Sequence, residues 1–277
     1  MLTLSFTFWG EEEPLPREAR GGPSPRLTVH TAPLLPARAP DAEVTVHIVC
    51  CPLPATDSAC RKLTTLLAAE LSPLLSSAQR AHLAAFRQPR AACSRWLSRL
   101  ALAACLTDAG AEPDIWLPLL RHQANGAACL PDWGVCFSHS EQAAFAALLV
   151  TPAGDARLGL DAESLSSPPP AETAFAPDGR GRDVPLPAAE ALRCWTLKES
   201  LAKAAGTGLD CPPACIPCGR HGQRRGVLHW RERTFFWRTL PVPGHWLALT
   251  GTRPLRPAFR LLTAAGLRPP RHGREHH

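Results

Sequence analysis

The chain has 277 residues, of which 45% are hydrophobic, and a formal net charge of +6 at pH 7. Its length allows either one large domain or two half-sized lobes, and no apolar run approaches the roughly eighteen residues that a membrane span requires. The first nine residues lack a basic segment and lead directly into three glutamates at 11–13. We therefore expect no export signal, no membrane association and a cytoplasmic protein.

The positive charge is weak grounds for a nucleic-acid partner. Three of the 30 basic residues are lysines, and the arginines are scattered among prolines and alanines, as a GC-rich genome would produce. We therefore predict no nucleic-acid partner. The same bias makes the lysines informative, because arginine would have replaced lysine wherever charge alone was needed, and two of the three are Lys198 and Lys203.

The cysteines predict reduced thiols, because eleven of them are spread along a chain without an export signal. One group has spacing similar to that of metal ligands and lies in a Pro-rich stretch: Cys211, Cys215, Cys218 and His221. This group leaves two interpretations open, a structural zinc site and, more simply, a loop that holds thiols. A zinc-containing nucleic-acid binder is the corresponding functional alternative.

The predicted elements of the first half begin after a Pro-, Arg- and Gly-rich segment, so residues 1–42 are predicted to be a flexible extension. Alternating β-branched residues predict a strand at 44–51. Apolar spacing predicts helices at 58–70 and within 76–106. Two further strands are predicted at 133–140 and 156–163. The segment between them, 141–150, fits either a helix or a hairpin partner.

The second half begins with a predicted loop at 164–186, followed by a helix from Pro187 to Ala205 that Gly206 caps. Three strands are predicted next, at 226–230, 234–240 and 245–250. A basic tail is predicted at 253–277. The pattern predicts a mixed α+β fold. We divide it into an N-terminal lobe at 43–157 and a C-terminal lobe at 158–252.

Asp161 and Glu163 are two residues apart on a predicted strand, so both carboxylates project from the same face. Magnesium prefers oxygen ligands from one or two carboxylates, together with waters and substrate phosphates. The pair is therefore a candidate magnesium site. Taken alone, however, a D-x-E pair is common and is more typical of a solvated strand end.

On the predicted helix, Glu199 and Lys203 share one face, with Lys198 beside them. This order also suits a surface salt bridge that contributes only about 0.3 to 0.5 kcal/mol. A lysine is nevertheless a compact charge that suits a pyrophosphate. That role is favoured because lysine is kept at these positions in a chain that otherwise uses arginine. The Ser138-His139-Ser140 triplet offers further phosphate-binding groups, but no G-x-S-x-G sequence surrounds either serine, so a serine hydrolase is not indicated.

Three segments in order resemble the motifs of Sfp-type 4′-phosphopantetheinyl transferases: FSHS (137–140), GLDAE (159–163) and WTLKESLAKAAGTGL (195–209). The third matches W-[ST]-x-K-E-[AS]-x-x-K-x-x-G-x-G-L at every position, and the resemblance spans about residues 86–250. It implies two similar α+β lobes in a pseudo-twofold arrangement, with the active site in the cleft between them, and a monomer.

The activity implied by the resemblance is that of a holo-acyl-carrier-protein synthase. The 4′-phosphopantetheine of coenzyme A is moved to a serine of an apo acyl or peptidyl carrier protein, and 3′,5′-ADP is released with Mg²⁺ as cofactor. The pathway would be fatty acid, polyketide or nonribosomal peptide biosynthesis.

The resemblance also implies roles for individual residues. Asp161, Glu163 and Glu199 would hold Mg²⁺, and Asp161, Glu199 and Lys203 form the catalytic set, with Glu199 or a metal-bound water as the base. Coenzyme A would be bound by Ser138 and His139 at the nucleotide phosphates, by Lys198 and Lys203 at the pyrophosphate, and by Arg87 and Arg90 at the 3′-phosphate. Trp195 is expected to be mainly a buried anchor for the helix.

Two departures from the family pattern are visible. Gly126-Ala127-Ala128 stands where family members commonly carry Gly-Lys-Pro, which removes one basic contact to coenzyme A. The Cys-rich segment at 211–221 is longer than expected and has the character of an insertion. The first departure favours an alternative function, a catalytically silent relative that serves as a coenzyme-A-binding or partner-docking scaffold, whereas the intact D-x-E and K-E-x-x-x-K patterns argue against it.

Overall fold

The structure, a computed structural model, describes residues 7–8, 43–123, 125–150, 157–171, 175–177, 183–208 and 211–262. These residues form a mixed α+β fold, as the sequence predicts. In the described part of the chain, none of the helices has the length and apolar character needed to cross a membrane.

The first sheet has five strands, in the spatial order β1 (Thr7–Phe8), β13 (Leu255–Leu261), β2 (Val44–Pro52), β6 (Ala143–Val150) and β5 (Trp133–His139). β13 runs parallel to β2, and the other neighbours are antiparallel. The segment at 141–150 therefore contains the hairpin partner of β5. Residues of β6 are buried on both of its faces, which explains why its apolar run shows no strand alternation.

The second sheet has four antiparallel strands, in the order β10 (Arg225–Trp230), β11 (Arg233–Val242), β12 (His245–Gly251) and β7 (Leu158–Ser164). Two short antiparallel pairs lie outside these sheets: β3 (Arg121–His122) with β4 (Ala128–Cys129), and β8 (Phe175–Pro177) with β9 (Asp183–Pro185).

Five α-helices lie in the described residues: α1 (Asp57–Leu71), α2 (Ser77–Ala84), α3 (Pro89–Asp108), α4 (Pro113–Trp116) and α5 (Ala188–Ala205). Thr56 and Ser76 cap α1 and α2 by accepting backbone N–H bonds with their hydroxyls. Gly206 ends α5 with a φ of 75°, a left-handed conformation that glycine adopts without steric cost.

The core lies in layers that follow the alternation of the strands. Val46, Ile48 and Phe145 of the first sheet share one buried cluster with Leu160 and Leu249 of the second, so the two sheets pack face to face. Helix α3 packs on the other face of the first sheet, and α5 packs on the other face of the second. The order of layers is therefore helix, sheet, sheet, helix.

The structure corrects the predicted basic tail at 253–277, because β13 is a strand inside the first sheet. Pro257 and the arginines within it hide the strand pattern, although Arg260 is buried and pairs with Asp108 at 2.8 Å. Residues 263–277 lie outside the described residues. The predicted extension at 1–42 also lies outside them, except for β1, which pairs with β13.

Candidate active site

The two carboxylates of β7 lie on the face that packs against α5. Leu158, Leu160 and Ala162 occupy the opposite face and enter the core between the sheets. Gly159 permits the close approach of α5, because a Cβ atom at this position would lie 1.9 Å from the carbonyl oxygen of Ser200. The strand and the helix are therefore held in direct contact where the predicted site residues lie.

Asp161 is the centre of the site and is only 5% exposed. Its Oδ1 accepts hydrogen bonds from Lys203 Nζ at 2.7 Å and from the Ser138 hydroxyl at 3.0 Å. Its Oδ2 is buried and has no hydrogen-bond partner. Leaving a buried polar atom unpaired is costly, so this oxygen is available for one more donor or cation.

Lys203 keeps its positive charge in this setting. Burial alone would lower its pKa, but the Asp161 carboxylate outweighs burial, and the pKa of Lys203 is raised. Its ammonium also donates to the carbonyl oxygen of Leu160 at 3.1 Å. The lysine is thus fixed as a cation beside Asp161. Its predicted contact with the pyrophosphate stays a prediction.

Glu163 is held by Trp195, whose Nε1 donates to Glu163 Oε1 at 3.0 Å. Burial and the charge of Asp161 nevertheless raise the pKa of Glu163 to about 7. The same two causes raise the pKa of Glu199. Each glutamate therefore lies within electrostatic range of Asp161, the third predicted metal ligand. The expectation that Trp195 is mainly a buried anchor does not include its hydrogen bond to Glu163.

The described residues contain no group of three or more His, Cys, Asp or Glu side chains already arranged to hold a metal ion. The chemistry of the donor set still fits Mg²⁺. The unpartnered Oδ2 of Asp161 and the raised pKa values of Glu163 and Glu199 indicate a carboxylate cluster with too little positive charge nearby. Oxygen donors of this kind are those that Mg²⁺ prefers.

Two cavities border the carboxylate cluster. The first, of about 690 Å³, is lined by Arg90, His139 and Glu163 among others. The second, of about 940 Å³, includes Glu199 and Lys203 in its lining. The turn at 126–128 also lines the second cavity.

His139 lies at the end of β5 in the wall of the first cavity. Desolvation by the surrounding walls, followed by repulsion from Arg95 and Lys203, lowers its pKa to about 4. The imidazole is therefore neutral at pH 7 and offers a hydrogen bond instead of a charge. Its predicted contact with the nucleotide phosphates remains a prediction.

Ser138 is not placed as predicted. Its side chain is buried, its hydroxyl donates to Asp161, and its oxygen accepts the backbone N–H of Ala162 at 3.1 Å. The hydroxyl is therefore engaged in positioning Asp161. The reason is the pleat of β5, which turns Ser138 towards β7 and leaves His139 exposed.

Lys198 is also not placed as predicted. It is 9% exposed, and its ammonium donates to the carbonyl oxygen of Pro213 at 2.8 Å. Because it is next to Glu199 on a helix, its side chain leaves from a different face. Lys198 therefore holds the segment after α5 against the helix, and its ammonium is on a different helix face from that of Lys203.

The two predicted arginines differ in position. Arg87 is exposed in the connection between α2 and α3 and lines neither cavity. Arg90 lines the first cavity, but its guanidinium donates to three backbone carbonyl oxygens, those of Pro54, Ala55 and Glu141. Arg95, which the sequence analysis did not assign, lines the second cavity. The available signal in the sequence was that Arg95 and Arg99 are four residues apart, which places both on one face of a helix.

The candidate zinc ligands do not come together. Cys211 is buried against Ile216 and Phe235, whereas Cys215 is exposed. Cys218 pairs instead with Cys194 of α5, and a hydrogen bond from that thiol lowers the pKa of Cys218 to about 6. All eleven cysteines are free thiols. The geometry supports the loop interpretation.

Comparison with models of known protein families finds no match to this chain, and comparison with curated proteins finds none either. Assignment of a function therefore depends on the geometry of the site and on the resemblance of the three motifs.

Proposed function

We propose that this protein transfers the 4′-phosphopantetheine arm of coenzyme A to a serine of an apo acyl or peptidyl carrier protein and releases 3′,5′-ADP. One observation carries the proposal: three motifs far apart in the chain meet at two carboxylates. Ser138 and Lys203 both donate to Asp161, and Trp195 donates to Glu163.

The reaction forms a bond between the carrier serine oxygen and the β-phosphorus of coenzyme A and breaks the bond from that phosphorus to the bridging oxygen. The bridging oxygen leaves with 3′,5′-ADP, and the serine proton passes to a base. Glu199 is the proposed base, because its pKa is raised and it lines the second cavity. Transfer of this kind depends on positioning and electrostatics and needs no covalent enzyme intermediate.

Lys203 offsets the negative charge that develops on the leaving diphosphate oxygens. Asp161 fixes the ammonium at 2.7 Å, so little reorganisation is needed during the reaction. Asp161, Glu163 and Glu199 would hold Mg²⁺, which supplies further neutralisation of the diphosphate when bound. Ser138 and Trp195 orient two of these carboxylates.

The layer order supports the pseudo-twofold, two-lobed arrangement that the family resemblance implies, because each sheet carries one long helix on its outer face. Under this proposal the N-terminal lobe includes β13 in addition to residues 43–157, and the C-terminal lobe ends before it. We further propose a cytoplasmic monomer whose partner is an acidic carrier protein.

One observation favours the alternative of a catalytically silent scaffold. The turn at 126–128 presents glycine and alanine to the second cavity, where family members commonly offer a lysine. Such a scaffold would bind coenzyme A or a partner without transferring the arm.

The test is incubation with coenzyme A, Mg²⁺ and several apo carrier proteins, followed by intact-mass measurement. Addition of the arm to a carrier, with loss of the addition when Asp161 is replaced by Asn, is the expected result. If coenzyme A binds and no carrier gains mass, the scaffold alternative replaces the proposed transferase.

A further inference from the structure

Two cysteines from different parts of the chain meet beside α5. Cys194 belongs to the helix and is 4% exposed, whereas Cys218 lies in the segment between α5 and β10 and is partly exposed. The thiol of Cys194 donates a hydrogen bond to the sulfur of Cys218. Both are free thiols, and the proposed transfer uses neither. One sulfur of this pair is therefore reachable from solvent, and the other is shielded behind it.

Close packing holds Cys218 in this position. Its neighbour Gly219 lies against the indole of Trp237, since a Cβ atom on this glycine would be 2.2 Å from the ring. Cys218 itself packs on the buried cluster of Leu197, Trp237 and Ala248. The meeting of the two sulfurs thus follows from the packing of the segment against α5 and β11.

The groups around the pair favour a thiolate at Cys218. The hydrogen bond from Cys194 lowers the pKa of Cys218 to about 6, with further lowering by the charges of Lys198 and Arg193, against the opposing effects of burial and Glu190. The same hydrogen bond, together with burial, raises the pKa of Cys194. Arg193 Nη2 also donates to Cys194 Sγ at 3.5 Å. At pH 7 the partly exposed sulfur is therefore a thiolate and the shielded one a thiol.

This combination is the one that thiol–disulfide exchange requires. A thiolate is the attacking species, and redox-sensitive cysteines are accessible, have a low pKa and lie next to a second cysteine that resolves the adduct. Cys60 and Cys93 also share a hydrogen bond, but both are buried, and burial raises the pKa of Cys93 to about 12. Contact between two thiols alone is thus not enough, and accessibility and charge distinguish the pair at Cys218.

We propose that Cys218 is a redox modification site that reacts with small disulfides of the glutathione class, and that Cys194 resolves the adduct into an intramolecular disulfide. In the first step the Cys218 thiolate attacks one sulfur of glutathione disulfide, forms a mixed disulfide and releases a glutathione thiolate. In the second step the Cys194 sulfur attacks the Cys218 sulfur, and the second glutathione leaves with the Cys194 proton. Two cysteines are oxidised, and one glutathione disulfide is reduced to two glutathione molecules.

The disulfide would fasten the segment after α5 covalently to the helix that carries Lys203. In the reduced protein the segment is held by hydrogen bonds, from Lys198 to the Pro213 carbonyl at 2.8 Å and from Arg193 to the Arg220 carbonyl at 3.4 Å. Because these bonds already bring the two sulfurs together, little movement is needed to join them. In a reducing compartment such a bond is transient and forms when the glutathione pool becomes oxidised.

The experiment maps the products of oxidation by mass spectrometry. The reduced protein, freed of reductant, is incubated with glutathione disulfide, digested without reduction and sequenced by fragmentation. The wild type is expected to give a peptide pair joined through Cys194 and Cys218, with no glutathione on either. Cys194→Ala is expected to accumulate glutathione on Cys218, because the resolving thiol is absent. Cys215→Ala removes an exposed thiol of the same segment and is the matched control, which should form the link as the wild type does.

Absence of the link in the wild type would overturn the inference, whether or not the variants fold. Accumulation of glutathione on Cys194 in a Cys218→Ala variant, with none on Cys218 in Cys194→Ala, would also overturn it, since the attacking sulfur would then be the other one. Melting curves check folding, and Cys194→Ser takes the place of Cys194→Ala if the latter does not fold.

Labelling by iodoacetamide tests the thiolate separately. The rate at Cys218 should be nearly constant from about pH 7 to about pH 9, because its sulfur is already ionised, whereas the rate for free glutathione rises over this range. A rate at Cys218 that rises in parallel with that of glutathione would contradict the assignment of the attacking group. None of these measurements depends on the proposed transferase activity.

Discussion

The Ser140 hydroxyl donates a hydrogen bond to His245 Nε2 at 2.8 Å and joins the turn after β5 to the second sheet. The direction follows from the other bonds, because the Ser140 oxygen already accepts from the backbone N–H groups of Gln142 and Ala143. His245 Nδ1–H then donates to the carbonyl oxygen of Pro243 at 3.0 Å. The buried imidazole is therefore neutral with a fixed tautomer.

His245→Ala is expected to destabilise the protein, because it leaves the Ser140 hydroxyl without its acceptor and opens space beside Phe145. The loss should be about 1 to 3 kcal/mol in the free energy of unfolding, measured with urea. His245→Gln keeps an acceptor within reach and should recover part of this loss. Equal stabilities for the alanine variant and the wild type would show that the bond contributes nothing.

Asp161→Asn and Glu199→Gln are each expected to leave a folded protein whose transfer rate falls by about a hundredfold or more, because charge stabilisation in the transition state is lost. Initial rates are measured by intact mass of the carrier. Glu70→Gln, on the exposed side of α1, is the matched control and should transfer at the wild-type rate. A normal rate in Asp161→Asn would remove the metal-site assignment.

Ser138→Ala distinguishes the two roles considered for this serine. A hydroxyl that positions Asp161 should affect the maximal rate, whereas a ligand contact should affect mainly the KM for coenzyme A. We expect the maximal rate to fall by about tenfold with a nearly unchanged KM, because one hydrogen bond to a carboxylate is lost. Steady-state kinetics decide, and a rise in KM alone would restore the sequence-based role.

Lys198→Met tests the reassignment of this lysine. Because its ammonium binds the Pro213 carbonyl away from the carboxylates, the variant should retain its transfer rate and lose only modest stability. Lys203→Met is the comparison and should lose most activity. Comparable losses in the two variants would mean that Lys198 acts at the reacting phosphates after all.

The raised pKa of Glu163 gives a pH dependence of defined sign. Its folded-state pKa is about 7 against an ordinary value of 4.5. Between these values the folded protein holds a proton that the unfolded chain has lost, so this stabilising contribution is complete below about pH 4.5 and disappears as the pH rises through about 7. His139 acts in the opposite direction between its folded-state value of about 4 and its ordinary value of 6.5.

Comparison with Glu163→Gln isolates the Glu163 contribution, since His139 is common to both proteins and Gln keeps an acceptor for Trp195. In urea unfolding without metal, the wild type should lose stability relative to the variant as the pH rises from about 4.5 to about 7. Added Mg²⁺ should restore the wild type at the higher pH and have less effect on the variant. A pH-independent difference would contradict the raised pKa.

The sequence predicts much of this architecture because its strands and long helices have clear local patterns. Helix α5 and strand β7 are found close to where their patterns place them, which sets Lys203 against Asp161 and Trp195 against Glu163. β13 is missed because Pro257 and its arginines resemble a tail, and its partner β2 is about two hundred residues earlier in the chain.

The remaining differences at the site concern which way a side chain points and what it meets. Ser138 faces Asp161, and Trp195 reaches Glu163, because separate elements bring them together. No local pattern carries that information. Arg95 shows the same limit, since its place in the lining of the second cavity depends on how α3 packs against β5, whereas its sequence neighbours are ordinary helix residues.

The position of β13 affects how the protein is made. This strand lies between β1 and β2, although it is the last strand along the described part of the chain. During synthesis the edge of β2 stays uncovered until residues 255–261 leave the ribosome, and β1 has no place to pair before then. The first sheet can therefore close only after residues 255–261 have been made, and a chain that stops at residue 252 would expose a strand edge that favours aggregation.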